Sequence, residues 1–176
     1  FLNFPILSSY FTFYFFPIMI IWFKKINKNI LHRYLKIFFF IFIIYLTLYV
    51  LGKFEYLADY NFGGGAILKF NYIILEDNYL LLLLSSVFGC CLLYNFIEKD
   101  FLKNIILILP IFFVYGLADF PFQDYFEPLL LFLFFGGKFQ SSLYDLFISN
   151  KKLSFYLYFI YFFSYLNISV YIKNFY

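Results

Sequence analysis

The sequence predicts an all-α integral membrane protein of about six transmembrane helices, forming a single domain over residues 1–176. Three observations carry this. The chain is 65% hydrophobic and only 13% charged, with a mean hydropathy of +0.86, whereas soluble domains are about half apolar and a quarter charged. A water-soluble fold of this size leaves too much of itself as surface to hide that many Phe, Leu and Ile side chains. Finally, the apolar residues fall into runs near the ~20 residues needed to cross a bilayer, and the charges gather between the runs.

In chain order the predicted helices cover approximately 4–23, 36–52, 78–97, 102–118, 128–149 and 153–172. The first connection, Lys24, Lys25, Lys28, His32, Arg33 and Lys36, reads as a strongly basic turn. The second, Lys53 to Asp77, contains Gly63-Gly64-Gly65 and reads as a flexible loop; those glycines neither follow a strand nor open a helix, which argues against phosphate binding. The third carries Glu98, Lys99, Asp100 and Lys103, the fourth runs from Asp119 to Glu127 with Pro121, and the fifth holds Asn150, Lys151 and Lys152. Pro110 falls midway along the fourth predicted helix, where it removes a backbone donor and predicts a kink.

Cytoplasmic-side connections of membrane proteins carry an excess of Lys and Arg. If the first helix enters from the outer side, nine basic residues face inward (Lys24, Lys25, Lys28, Arg33, Lys36, Lys99, Lys103, Lys151, Lys152) and three outward (Lys53, Lys69, Lys173). Both termini are therefore expected outside. Trp22, Tyr34, Tyr56, Tyr60, Tyr79, Tyr94 and Tyr125 lie near predicted helix ends, where amphipathic rings meet the headgroups.

Ionisable residues inside membrane spans are costly, so each is a functional candidate. Lys138 lies in the fifth predicted helix, with Ser141, Ser142 and Asp145 at helical spacing after it. The four form a polar stripe suited to a proton relay, or else Gly136-Gly137 breaks the helix and Lys138 lines an interfacial turn. Asp119 and Glu127 flank the fourth loop, either as the mouth of a proton path or as solvated carboxylates. His32 is the sole histidine and lies in a basic segment, so a self-contained two-haem or copper–haem site is excluded. Cys90 and Cys91 are adjacent, with no CxxC spacing or nearby His, so no metal site and no cofactor are expected. No P-loop and no GxSxG motif is present. The net charge of +3 is scattered, so no nucleic-acid partner is expected. The basic cluster Lys24, Lys25, Lys28 and Arg33 predicts contact with phospholipids such as cardiolipin.

Phe (32) and Tyr (19) are abundant, with Ile, Asn and Lys, and Arg33 is the only arginine. Residues with A+T-rich codons dominate, which together with the membrane content points to a mitochondrial genome and the mitochondrial inner membrane. No basic, Ser-rich presequence precedes the first apolar run, so residues 4–23 are expected to be a retained helix.

From residue 78 the order of features resembles the NADH dehydrogenase subunit 2 family of respiratory complex I. The resemblance rests on the Leu-rich run Asn78 to Gly89 with Ser85-Ser86, the polar Lys99-Asp100-Phe101-Leu102, Tyr115, and then Glu127-Pro128-Leu129-Leu130-Leu131-Phe132-Leu133, Gly136-Gly137 and Ser141-Ser142. Leu109-Pro110 stand where the family has a glutamate, and Leu131 stands at its lysine. Family members are far longer, so the resemblance implies the N-terminal piece of a split subunit. It also implies an antiporter-like proton-translocation module coupled to NADH:ubiquinone oxidoreduction, with other membrane subunits of a large respiratory complex as partners. The family has three helices ahead of the matching region and this chain has two, so the resemblance and the charge-based orientation agree only if residues 54–77 contain a short crossing. The alternative expectation is a structural membrane subunit of another respiratory assembly, ATP synthase or cytochrome oxidase, with no chemistry of its own.

Overall fold

The computed structural model describes residues 3–25, 28–52, 65–75, 79–97, 101–116 and 142–175, and these are helical almost throughout. The helices are α1 (Asn3–Lys25), α2 (Lys28–Val50), α3 (Gly65–Leu75), α4 (Leu80–Ile97), α5 (Phe101–Gly116), α6 (Ser142–Ser149) and α7 (Lys151–Phe175). Three of them, α1, α2 and α7, hold segments long and apolar enough to cross a membrane: Phe4–Lys24, Leu31–Val50 and Lys151–Tyr171. At 1.5 Å per residue, the 23 residues of α1 extend roughly 35 Å, beyond the ~30 Å hydrocarbon thickness. The 18 residues of α4 and 16 of α5 reach only about 27 and 24 Å.

Local sequence explains most boundaries. Pro5 falls in the first turn of α1, where its missing N–H costs nothing. Pro17 and Pro110 lie inside helices that continue past them. The α2 helix closes on Gly52 at φ 65°, a left-handed cap in which Leu51 N–H donates to the Thr47 carbonyl and Gly52 N–H to that of Tyr49, each at 3.0 Å. Asn150 forms the joint between α6 and α7. Its N–H and its Nδ2 both reach the Leu146 carbonyl (3.2 and 2.8 Å), and its own carbonyl accepts from Ser154 N–H at 2.9 Å.

Parts of two expected connections are helix instead. Most of the basic segment is helix: Lys24 and Lys25 end α1, and α2 begins at Lys28 and carries His32, Arg33 and Lys36 on its first turns with their side chains exposed. Long cationic side chains tolerate a helix end because their stems lie on apolar surface while the charge reaches out. Gly65, expected in a flexible loop, opens α3. The fifth predicted helix is described only from 142 onward, and a count of six spans does not emerge from the described residues.

The helix directions follow from side-chain contacts. Trp22 meets Tyr34, and Ser8 lies 3.4 Å from Tyr45, so α2 runs back along α1. Tyr34 pairs with Asn95, and Phe38 packs on Phe88, so α4 runs back along α2 and therefore in the same sense as α1. The segment between α2 and α4 thus begins and ends at one end of the bundle. Its helix α3, with 11 residues or roughly 17 Å of length, supplies no crossing. The pairs Phe13–Tyr165 and Phe16–Tyr161 set α7 against α1. Consequently Lys24, Lys28, Arg33, Lys36, Lys151 and Lys152 gather towards one end, while Lys69 on α3 lies towards the other.

The core is built around α1. Its spanning segment is 83% buried inside the protein, against 6% for those of α2 and α7. Ile6, Leu7, Tyr10, Phe15 and Ile18 of α1 meet Leu82, Leu83, Val87 and Leu92 of α4 in one cluster. In contrast, α2 and α7 turn rows of apolar side chains outward, including Phe40 at 68% and Phe155 at 66% exposure. Contiguous apolar surface on this scale requires lipid or partner helices to cover it.

Candidate functional site at the interface of the first and fourth helices

Within the greasy core the α1–α4 interface carries a seam of small and polar residues. Ser8, Ser9 and Thr12 of α1 face Ser85, Ser86 and Gly89 of α4, and the serines and Gly89 are buried. The two triplets share the spacing i, i+1, i+4, which places short side chains along one strip of a helix. Small residues four apart let two backbones approach closely, and their hydroxyls then find acceptors on the opposite helix.

The hydrogen bonds follow that logic. The single Ser86 Oγ proton is shared between the Pro5 carbonyl at 2.5 Å and its own helix's Leu82 carbonyl at 2.6 Å. Thr12 Oγ1 donates to the Ser85 carbonyl at 2.5 Å. The hydroxyls of Ser8, Ser9 and Ser85 turn back to carbonyls three or four residues earlier, at 2.7–3.0 Å. Gly89 sits where the helices cross most tightly, since a Cβ there would overlap the Ser8 carbonyl. Tyr45 of α2 closes the outer edge, its hydroxyl 3.4 Å from Ser8 Oγ and 3.2 Å from Cys90 Sγ.

Two amides extend the polar network to the ends of α4. Asn71 of α3 accepts from the N–H groups of Leu81 and Leu82 at 3.1 and 3.2 Å, satisfying donors that the first turn of α4 cannot use itself. At the other end, Tyr34 Oη donates to Asn95 Oδ1, and Asn95 Nδ2 donates to the Cys91 carbonyl at 3.2 Å. Trp22 stands edge-on to Tyr34 at 4.7 Å and Tyr94 at 5.9 Å from it, with the Arg33 guanidinium 5.8 and 6.0 Å from the Tyr34 and Tyr94 rings. The interfacial aromatic positions Trp22, Tyr34 and Tyr94 thus form one cluster at the basic end.

Of the predicted relay residues, Asp145 lies on α6 and is exposed. Lys138, Ser141, Asp119 and Glu127 lie outside the described residues, and Ser142 opens α6. His32 is exposed at the start of α2. Cys90 and Cys91 are free, half-buried thiols that pack against the α1 and α2 side of α4. Among the described residues no three His, Cys, Asp or Glu converge as metal ligands. Every charged side chain whose surroundings are described is exposed. Among the described residues the interior therefore offers hydroxyls, amides and thiols, a chemistry that locks helices together.

Ser8, Ser9, Thr12, Tyr45, Asn71 and Asn95 carry no formal charge at neutral pH, so intramembrane charge does not mark them in the sequence. The repeated i, i+1, i+4 spacing of small residues is the signal that marks the first three and their partners. Comparison with family models, curated proteins and solved structures finds no match to this chain.

Proposed function

We propose that the chain is a multi-pass subunit of a mitochondrial inner-membrane assembly, working by packing rather than by chemistry of its own, with the membrane arm of respiratory complex I as the assembly. The observation that carries the packing role is the contrast between helices of equal greasiness. The interior helix α1 is locked through a small-residue seam, while α2 and α7, similarly apolar, expose long rows of Phe, Ile and Tyr. A protein complete in water would not present such faces; a subunit set among lipids and partner helices would. The choice of complex I rests on the sequence resemblance over residues 78–148, and the mitochondrial setting rests on composition.

Proton relay through Lys138, Ser141 and Asp145 is the second reading. It is favoured by the placement of Asp145 on α6, a helix in contact with both α1 and α4. Native-gel separation of solubilised mitochondrial membranes, with mass spectrometry of each band, tests the assembly. Comigration with NADH dehydrogenase is expected, and comigration with ATP synthase or cytochrome oxidase instead ends the complex I reading. Lys138→Met in the intact complex separates the two roles: unchanged proton pumping supports packing, and lowered pumping supports the relay.

A further inference from the structure

We propose that the cleft between α1, α2 and α4 at the basic end of the bundle seats one acyl chain of an anionic phospholipid, whose phosphate is held by the cations around its rim. This deepens the membrane reading above and rests on it. The cleft is open to its surroundings on one side, and its walls come from Trp22, Phe23, Leu35, Phe38, Phe88 and Leu92 among others. Tyr34 and Asn95 also line it, yet their polar atoms are turned to each other and to the Cys91 carbonyl, so the accessible wall is apolar. A hydrocarbon occupant meets such a wall without losing a hydrogen bond, whereas a polar ligand would leave its own groups unsatisfied.

The rim supplies the second half of the ligand. Lys24 follows Phe23 of the wall, Arg33 and Lys36 flank Tyr34 and Leu35, and Lys28 precedes Leu31 by one turn. All four side chains are exposed, and the Arg33 guanidinium lies against the faces of Tyr34 and Tyr94. Lys151 and Lys152 at the start of α7 add to this end, where Asp145 on α6 is the exposed carboxylate among the described residues. Trp22, Tyr34 and Tyr94 are the aromatic types that settle at headgroup depth. An apolar slot beneath an amphipathic belt and a surplus of positive charge matches a molecule with a hydrocarbon tail below an anionic head. A zwitterionic phospholipid gains less from that charge, because its own ammonium offsets its phosphate, and a partner helix does not need it.

The test uses the full chain, delipidated in detergent and reconstituted into phosphatidylcholine nanodiscs containing one-fifth phosphatidylglycerol, with lipid retained after re-extraction counted by native mass spectrometry. One tightly retained phosphatidylglycerol is expected. Near the surface each Lys or Arg contributes roughly a fivefold factor to anionic-lipid binding. Lys36→Gln with Arg33→Gln should therefore lower retention by about one order of magnitude or more, while Lys69→Gln at the opposite end leaves it unchanged. Cys91→Phe, which fills the cleft without altering charge, should abolish retention. Circular dichroism of each variant separates loss of the site from loss of the fold, and Leu35→Trp, which narrows the cleft from its exposed wall, should lower retention if Cys91→Phe fails to fold. Equal retention of phosphatidylcholine, or retention insensitive to both cleft filling and rim charge, overturns the proposal. Failure of the wild-type chain to enter nanodiscs at all overturns the membrane reading beneath it.

Discussion

Gly89→Ala is the smallest change that probes the central crossing. The added methyl would coincide with the Ser8 carbonyl and fall 3.2 Å from the Ser8 Cα, all of it backbone that no rotamer change can move aside. The helices must separate, and overpacking of this kind costs about 1–3 kcal/mol. Separation also stretches the two interhelical bonds of the seam, Ser86 to Pro5 and Thr12 to Ser85, each worth about 0.6 kcal/mol in a membrane interior. The expected loss is thus roughly 2–4 kcal/mol, towards the upper end because the obstacle is main chain. Gly52→Ala is the matched control. It adds the same methyl where nothing lies within 4 Å, at a backbone φ of 65°, so its cost of roughly 1 kcal/mol is conformational and independent of packing. Reversible unfolding of the purified chain in bicelles by graded sodium dodecyl sulfate reads both. If Gly89→Ala is no more destabilising than Gly52→Ala, the close approach of α1 and α4 is wrong, and with it the account of why those small residues are there.

Other perturbations test separate contacts. Thr12→Val keeps the shape and removes the donor to the Ser85 carbonyl, and in the same titration it should cost about 0.5–1 kcal/mol. Asn71→Leu strips the acceptor from the Leu81 and Leu82 N–H groups; a loss of about 1–2 kcal/mol and faster hydrogen exchange at those two amides are expected, with Asn71→Asp restoring most of both. Tyr34→Phe leaves Asn95 Oδ1 buried without its phenol donor, so the double variant with Asn95→Leu should be less destabilised than the sum of the single ones, as a double-mutant cycle would show. Ile43, 61% exposed on α2, is tolerant of Lys if that face meets water. Facing hydrocarbon, Ile43→Lys should impair insertion by roughly 2.5–3.5 kcal/mol, read from the glycosylation of a tagged α2 in microsomes.

Helix was legible from the residues alone, because uninterrupted runs of Phe, Ile and Leu can satisfy their backbone in an apolar setting only by bonding within the segment. The sequence also placed α1, α4, α5 and α7 to within a few residues, since charge ends an apolar run. It missed the first two turns of α2, where cationic side chains reach outward from a helix end, and α3, where a glycine run and scattered charges read as a loop. Which helix is central emerges only from how the helices pack. The spanning segments of α1, α2 and α7 have similar hydropathies of 1.7, 1.8 and 1.4, yet one is buried and two are not. In water, a polar stripe marks the outer face of a helix, but between a protein interior and lipid both sides are apolar and periodicity is silent. What distinguishes α1 is short side chains at Ser8, Ser9 and Thr12, meaningful only once Ser85, Ser86 and Gly89, some 75 residues onward, are known to lie opposite. Close packing depends on pairs of surfaces, and no single segment records its partner.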